Sequence, residues 1–189
     1  RLATAVEGAD PAEVFARMAP RNRDNARTPV HWDSSEKAGF TTGDPWIALA
    51  PDHGTVNAAA QVGVPGSVFE HYRALISLRH SDDALALGTF RLLDAEDPGS
   101  WVILREHLTA DGGREQLLLV ASCSRDGLGT GEGSALRGRL AAERLDLAEW
   151  TSAQRLLVAS LPSGEAAASG TGLPEHLDGW DSVLLRRSL

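Results

Sequence analysis

Arg21-Asn22-Arg23-Asp24-Asn25-Ala26-Arg27-Thr28-Pro29, followed by Val30-His31-Trp32-Asp33 and then by Ala38-Gly39-Phe40-Thr41-Thr42-Gly43, is the stretch on which the reading of this 189-residue chain turns. It opens an aperiodic segment that runs to Gly66, punctuated by prolines at 29, 45, 51 and 65 and glycines at 39, 43, 54 and 63. Connections of that length inside a compact domain are uncommon unless they serve a function. This one is too aromatic and too specific in its polar residues to read as a disordered linker. Arg, Asp, Asn and Trp in such density suit a grip on a polyhydroxylated ligand, because a guanidinium is a planar fork that holds two neighbouring hydroxyls or one carboxylate. The same arginines can instead pin a loop by bonding its carbonyls, and that is the reading for Arg27. Trp32, Phe40 and Trp46 have two uses, stacking on a ring or anchoring the loop in a core. Anchoring is the expected one.

Regular structure flanks this segment. Asp10-Pro11 is an N-cap followed by proline at the first helical position. Val14, Phe15 and Met18 then share one side of a short helix, which Pro20 ends. Ser67 with Glu70 three residues on is a capping-box pattern. Val68, Tyr72, Leu75, Ile76 and Leu78 follow at helical spacing, so 67–80 is expected to be a strongly amphipathic helix, broken at Ser81-Asp82-Asp83. Beyond it the pattern turns to strands: 89–93, then Trp101 to Leu104, then Gln116 to Ser122 after an Ala110-Asp111-Gly112-Gly113 turn. Gln116-Leu117-Leu118-Leu119-Val120 is nearly continuous in apolar residues, which places it centrally with both faces covered. Weaker strands are expected near Leu145-Asp146-Leu147 and Gln154 to Val158, a Gly/Ala/Ser-rich loop at 163–172, and a last strand from Trp180 to Arg187. The composition shift puts a boundary near Asp83.

Bulk properties exclude several classes. With 18 basic against 26 acidic residues the net charge is −8, which argues against a nucleic-acid or anionic-membrane surface and is ordinary for a soluble cytoplasmic protein. No run approaches the roughly 20 apolar residues that cross a bilayer. Residue 1 is Arg, so the start is not expected to be natural, and no signal peptide is visible. Cys123 is the only cysteine. It rules out an intrachain disulfide and reads as a small filler at a strand end rather than a nucleophile. The six histidines are scattered, and no His/Cys/Asp/Glu group has metal-ligand spacing, so neither metal nor cofactor is expected. The glycine-rich 127–133 loop precedes no Lys-Ser or Lys-Thr pair and is no phosphate loop, and no Gly-x-Ser-x-Gly elbow is present. Glycoside hydrolysis needs two carboxylates on a rigid frame. The loop acids Asp24, Asp33, Glu36 and Asp44 do not follow a recognisable buried strand, so a complete active site within the chain is not expected.

Arg23 to Pro29, His31-Trp32-Asp33, Ala38 to Gly43 and Pro45-Trp46-Ile47 resemble, in order and spacing, the α-glucosidase and oligo-1,6-glucosidase branch of the α-amylase family, glycoside hydrolase family 13. His71 to Arg79, Ala84-Leu85 and Gly88-Thr89-Phe90 resemble the same branch. The resemblance covers roughly residues 20 to 93 and is weak from about 124 onward. It implies an α+β piece: the last loop and helix of a (β/α)8 TIM-type barrel (1–83), followed by an antiparallel β-sandwich-like C-terminal domain (84–189). The family's catalytic Asp, Glu and second Asp stand on barrel strands upstream of this chain, so none is expected here and the chain alone is expected to be inactive. The resemblance assigns Arg23 to substrate, on the glucose at the non-reducing end; Asp24, Arg27 and Trp32 are read from the residues as loop support. The partners it implies are an oligosaccharide or disaccharide and the N-terminal part of the same barrel. Two departures flank the clamp: Val30-His31 where the family commonly has Met-Gln, and Asn22 where a serine is usual. Linkage preference, and hydrolysis against transglycosylation or sucrose isomerisation, depend on residues outside the chain.

Two other readings remain at this point. One is a non-catalytic relative such as a transporter-associated heavy chain. The other is a carbohydrate-binding β-domain, which would need a surface row of aromatics; Trp101, Trp150 and Trp180 are its candidates, and each serves a core equally well.

Overall fold

The strand Arg114–Ser122 organises the larger part of the molecule. In the computed structural model, which describes residues 10–19, 22–159 and 170–189, it is the middle of a five-stranded antiparallel sheet. The strands, in chain order, are β1 (Arg91–Leu93), β2 (Ser100–Leu108), β3 (Arg114–Ser122), β4 (Leu128–Gly129), β5 (Gln154–Ala159), β6 (His176–Leu177) and β7 (Ser182–Ser188). The sheet order is β1-β2-β3-β7-β5, and β4 and β6 form a separate two-stranded ribbon. The apolar run of β3 is buried on both faces because alternate side chains serve two clusters. Leu118 and Val120 point into one, with Val102, Leu104, Val183 and Leu185, against Leu136, Leu140 and Trp150. Leu117 and Leu184 belong to the other, with Ala84 and the half-buried Leu75, Leu78 and Leu119. The register enforces this: Leu118 lies opposite Leu185 and Leu104, Leu119 opposite Leu184 and Ile103.

The helices are α1 (Pro11–Met18), α2 (Val68–Ser81), α3 (Asp83–Ala86) and α4 (Ala135–Ala142). Ser67 caps α2, its hydroxyl accepting from the Glu70 amide at 3.2 Å. Only part of the apolar set expected on α2 is covered. Leu75 and Leu78 pack on the sheet, whereas Val68, Tyr72 and Ile76 are 63%, 62% and 54% exposed, and no α2 residue is buried. The strand expected at Leu145-Asp146-Leu147 is replaced by a 3-10 turn, Leu147–Trp150, because the Asp146 carboxylate accepts from the Ala148 amide and caps it. Helix α4 was not apparent in the pattern. Ser134 caps it, and Leu136 and Leu140 bury one face. The expected second layer of a sandwich is supplied by α4, that turn and the β4–β6 ribbon rather than by a full second sheet.

Contacts divide the chain into two compact units, Arg1–Val62 and Gly63–Leu189, so α2 belongs to the same unit as the sheet. Among the described residues no helix is long and apolar enough to cross a membrane. Pro20 and Arg21, and most of the loop expected at 163–172, lie outside the described residues.

Candidate functional site

The loop that carries the arginines is shaped by bonds between near neighbours. Asn22 caps a 3-10 turn, Arg23–Ala26, its side-chain oxygen accepting from the Asp24 amide at 3.1 Å. Asparagine is a favoured residue for such a cap. The Arg27 amide closes the turn on the Asp24 carbonyl at 3.0 Å. Its guanidinium meets the Asp24 carboxylate at 3.9 Å, with both side chains more than half exposed. Arg27 is therefore paired with a carboxylate rather than pinning carbonyls. A pair this open contributes well under about 1 kcal/mol. Arg23 is exposed on the same turn, and among the described residues its guanidinium has no partner.

The segment from Trp32 to Phe40 folds back on itself. The Trp32 amide donates to the Ala38 carbonyl at 2.8 Å, and the Ala38 amide to Ser35 at 2.8 Å. Ala38 (φ +52°) and Gly39 (φ +64°) both lie in the left-handed region, and a Cβ on Gly39 would stand 2.8 Å from an Asp33 carboxylate oxygen. Glycine is required there by conformation and by space. A second hairpin-like return ties the loop to residues 56–59: His31 Nδ1 lies 3.1 Å from the Val56 carbonyl, and the Ala58 and Ala59 amides donate to His31 and Trp32 at 2.9 Å. Buried Asn57 holds the return, donating to the His53 carbonyl and accepting from the Ala60 amide, each at 2.9 Å.

Trp32, Phe40 and Trp46 do not anchor the loop in a core. They are 56%, 48% and 92% exposed, which corrects the expectation and leaves three aromatic surfaces free. The loop acids are set up as anions. Hydrogen bonds from the Ser35 hydroxyl and amide hold the Asp33 carboxyl below the usual carboxylate range. Lys37 does the same to Asp44 by a direct bond, and the Lys37 ammonium is raised in turn. A general acid needs the opposite shift. Neither Asp33 nor Asp44 is tuned to protonate a leaving group. Among the described residues no group of three or more His, Cys, Asp or Glu can hold a metal ion.

The larger unit holds a groove of about 290 Å³ between α2 and the sheet, lined by Leu75, Leu78, Phe90, Ile103 and Leu119 among others. It offers almost no polar groups beyond Arg79 and Arg105, and Arg105 is committed to the Ala84 and Gly88 carbonyls. Sugar sites need convergent hydrogen-bonding groups, so this groove is suited to apolar side chains instead. Of the three tryptophans that could serve a surface row or a core, Trp150 is fully buried, whereas Trp101 and Trp180 are exposed.

Comparison with known proteins gives the geometry a context. Residues 3–88 match the family described as alpha-amylase, catalytic domain. An oligo-1,6-glucosidase of Parageobacillus thermoglucosidasius is 41% identical over 117 residues, 62% of this chain and 20% of that protein. An alpha-glucosidase of Pediococcus pentosaceus is 46% identical over 88 residues, 47% of this chain and 16% of that protein. Among solved structures, the trehalulose synthase of Pseudomonas mesoacidophila MX-45 superposes with a TM-score of 0.65 at 32% identity, over 95% of this chain and 28% of that one. The chain thus spans about a fifth of the length of the curated relatives it matches.

Proposed function

The chain belongs to the α-amylase family, glycoside hydrolase family 13, and from that premise we propose that it is the C-terminal part of an exo-acting α-glucosidase. The parent enzyme removes terminal α-linked glucose, with retention, from maltose- or isomaltose-type oligosaccharides or from sucrose. The chain contributes one wall of the glucose pocket and a stabilising β-domain. The observation that carries this reading is Arg23: a guanidinium held on a capped turn, exposed, and without a partner among the described residues. A fork presented in that way can take two hydroxyls of a terminal sugar far from the scissile bond. Closing one end of the cleft admits only a chain end, and bonds to remote hydroxyls orient the ring for attack. Asp24 and Arg27 shape the turn, and Trp32 is tied into the loop by its backbone at both ends.

In this reading residues 1–83 complete a (β/α)8 barrel and 84–189 form the β-domain. The upstream barrel covers the Val68, Tyr72 and Ile76 stripe of α2, which the chain by itself leaves in water. Related proteins carry the names oligo-1,6-glucosidase, alpha-glucosidase and trehalose-6-phosphate hydrolase, which support a glycosidase parent. The catalytic carboxylates come from the barrel, and the chain alone is inactive.

Co-expression with the upstream barrel portion of the parent tests the assignment. Rescue of p-nitrophenyl α-glucoside cleavage is expected with the wild-type chain. Arg23→Ala should lower kcat/KM by about 100-fold, the cost of losing charge-assisted hydrogen bonds made to the bound sugar. Equal rescue by both would remove Arg23 from the site, and brisk turnover by the isolated chain would overturn the reading.

A further inference from the structure

One face of the five-stranded sheet is only partly covered. Cross-strand partners share a face, so the register sets Leu92, Ile103, Leu119 and Leu184 side by side across β1, β2, β3 and β7. Helices α2 and α3 cover the far side of this row, where Leu75, Leu78 and Leu85 pack with Leu119 and Leu184. The near side is left open. Leu92 is exposed, and Phe90, just ahead of β1, is 62% exposed. The groove of about 290 Å³ follows this margin, with Leu75 and Leu78 of α2 on one wall and Phe90 and Ile103 on the other. All of these residues belong to the unit Gly63–Leu189.

Charge gives a second, independent observation. Arg79 and Arg105 both line the groove. Arg79 donates to the Leu85 carbonyl at 2.9 Å, and Arg105 to the Ala84 and Gly88 carbonyls at 3.1 and 2.7 Å. Carbonyl bonds hold a guanidinium in place without neutralising it. Among the described residues neither arginine pairs with a carboxylate, although the chain carries 26 acidic residues against 18 basic ones. The groove therefore presents an apolar floor beside two fixed, uncompensated positive charges.

An exposed apolar surface of this kind marks a protein contact, and the unpaired arginines ask for an acidic partner. The α2 wall lies within residues 3–88, the stretch that matches the catalytic domain, and the Phe90 and Ile103 wall lies beyond it. The groove thus sits at the seam between the catalytic part and the β-domain. The chain spans about a fifth of the length of the curated relatives it matches, and the outer surface of a (β/α)8 barrel is a ring of helices. We propose that the groove seats a helix of the upstream barrel, whose apolar side chains fill the space between α2 and Phe90 and whose carboxylate meets Arg79 or Arg105. That the occupant is a barrel helix rests on the proposed parent enzyme; its apolar and acidic chemistry rests on the groove itself. The β-domain is then a clasp that holds an upstream helix against α2, a role separate from the Arg23 clamp.

Phe90→Glu tests the seat in two contexts. Phe90 is in water here, so in the 189-residue chain the variant should keep its thermal midpoint within about 2 °C of wild type. In the intact parent polypeptide the same change buries an unpaired charge, and the midpoint should fall by about 5 °C or more. Arg79→Glu should show the same contrast, at smaller size. Leu108→Glu is the control: it is exposed at the end of β2, on the opposite face from Ile103, and should be silent in both contexts. Equal effects of Phe90→Glu in the two contexts overturn the proposal. So does a 189-residue chain that sediments as a dimer and becomes a monomer with Phe90→Glu, because a second copy is then the occupant. The readout needs no turnover. A failed Arg23 rescue with the contrast intact would remove the glucosidase reading and leave the seat, and a successful rescue without the contrast would do the reverse.

Discussion

Replacing Arg139 by Met should destabilise the β-domain by about 2 kcal/mol at neutral pH, with a pH dependence that identifies the cause. Asp94 sits in the turn between β1 and β2 with its side chain 2% exposed. Arg139 on α4 reaches it twice, Nε to Oδ1 at 2.6 Å and a terminal nitrogen to Oδ2 at 2.9 Å, while Arg139 also pairs with Asp97. The Ser100 hydroxyl donates to the same carboxylate, and the Asp94 amide donates to Glu143 at 2.7 Å. Breaking a fully buried pair costs about 3–5 kcal/mol, and an exposed pair is worth under about 1. Arg139 is 37% exposed, which discounts the buried figure and gives about 2 kcal/mol. For a chain of this size that is a drop of about 4–8 °C in thermal midpoint. Burial alone would raise the Asp94 carboxyl, but the hydrogen bonds from Arg139 and Ser100 and the guanidinium charge carry it below the ordinary carboxylate range. A depressed folded pKa means that the ion pair's contribution is complete above the unfolded pKa, about 4, and is lost as pH falls through the folded value. The gap between wild type and Arg139→Met should therefore be full at pH 7 and shrink below about pH 4. Urea titrations followed by fluorescence report on the right unit, because Trp150 is buried in the cluster that α4 covers. A variant within about 0.5 kcal/mol of wild type at pH 7, or a gap that is the same at pH 7 and pH 3.5, would refute the argument.

Two further outcomes test the packing and the loop. Leu118→Ala, at a fully buried site on the central strand, should cost about 3 kcal/mol, whereas Tyr72→Ala, 62% exposed on α2, should cost under about 0.5 in this chain, both read by urea denaturation. A large Tyr72 effect would show that its stripe is already packed. Gly39→Ala meets both a left-handed backbone and an Asp33 oxygen at 2.8 Å, so it should speed amide exchange across Trp32 to Gly39 by tenfold or more, and unchanged protection would count against the turn described.

The sheet was legible because its signals were local and redundant. The apolar run in β3 announced a strand covered on both faces, and the Asp111-Gly112-Gly113 turn fixed the hairpin. The helix at 67–80 was legible for the same reason, though only half of the capping box formed. Ser67 caps as expected, but the Glu70 carboxylate goes to the Gly63 amide and to Arg73. Which face of α2 is covered could not be read from periodicity, since Leu75 and Leu78 share the helix with an equally apolar stripe. The alternation Leu145-Asp146-Leu147 imitates a strand, and only the capping chemistry of Asp146 distinguishes the turn that forms. Helix α4 hid behind Gly138 and its short length; Ser134 with Leu136 and Leu140 was the available signal. In the loop, the arginine turn was legible as a motif, but the exposure of Trp32, Phe40 and Trp46 depends on what packs nearby, which no local pattern encodes.

The two units are held by different physics, and this decides how the clamp must be tested. Among the described residues up to Val62 only Pro29, Ala38 and Asn57 are buried, so hydrophobic burial contributes little there. Shape comes instead from capped turns, the Ala38–Gly39 reversal and the ties from His31 and Trp32 to residues 56–59. Bonds of that kind exchange with water at small net gain, and segments built from them open at low free-energy cost. A global unfolding curve on this chain therefore reports the β-domain and is nearly blind to the loop. An Arg23 variant with an unchanged thermal midpoint has not been shown to keep its turn. The capping bond from the Asp24 amide to Asn22, followed by hydrogen exchange, is the control that separates a lost guanidinium from a lost loop. If Arg23→Ala leaves that amide as protected as in the wild type while activity with the barrel falls, the loss belongs to the fork itself.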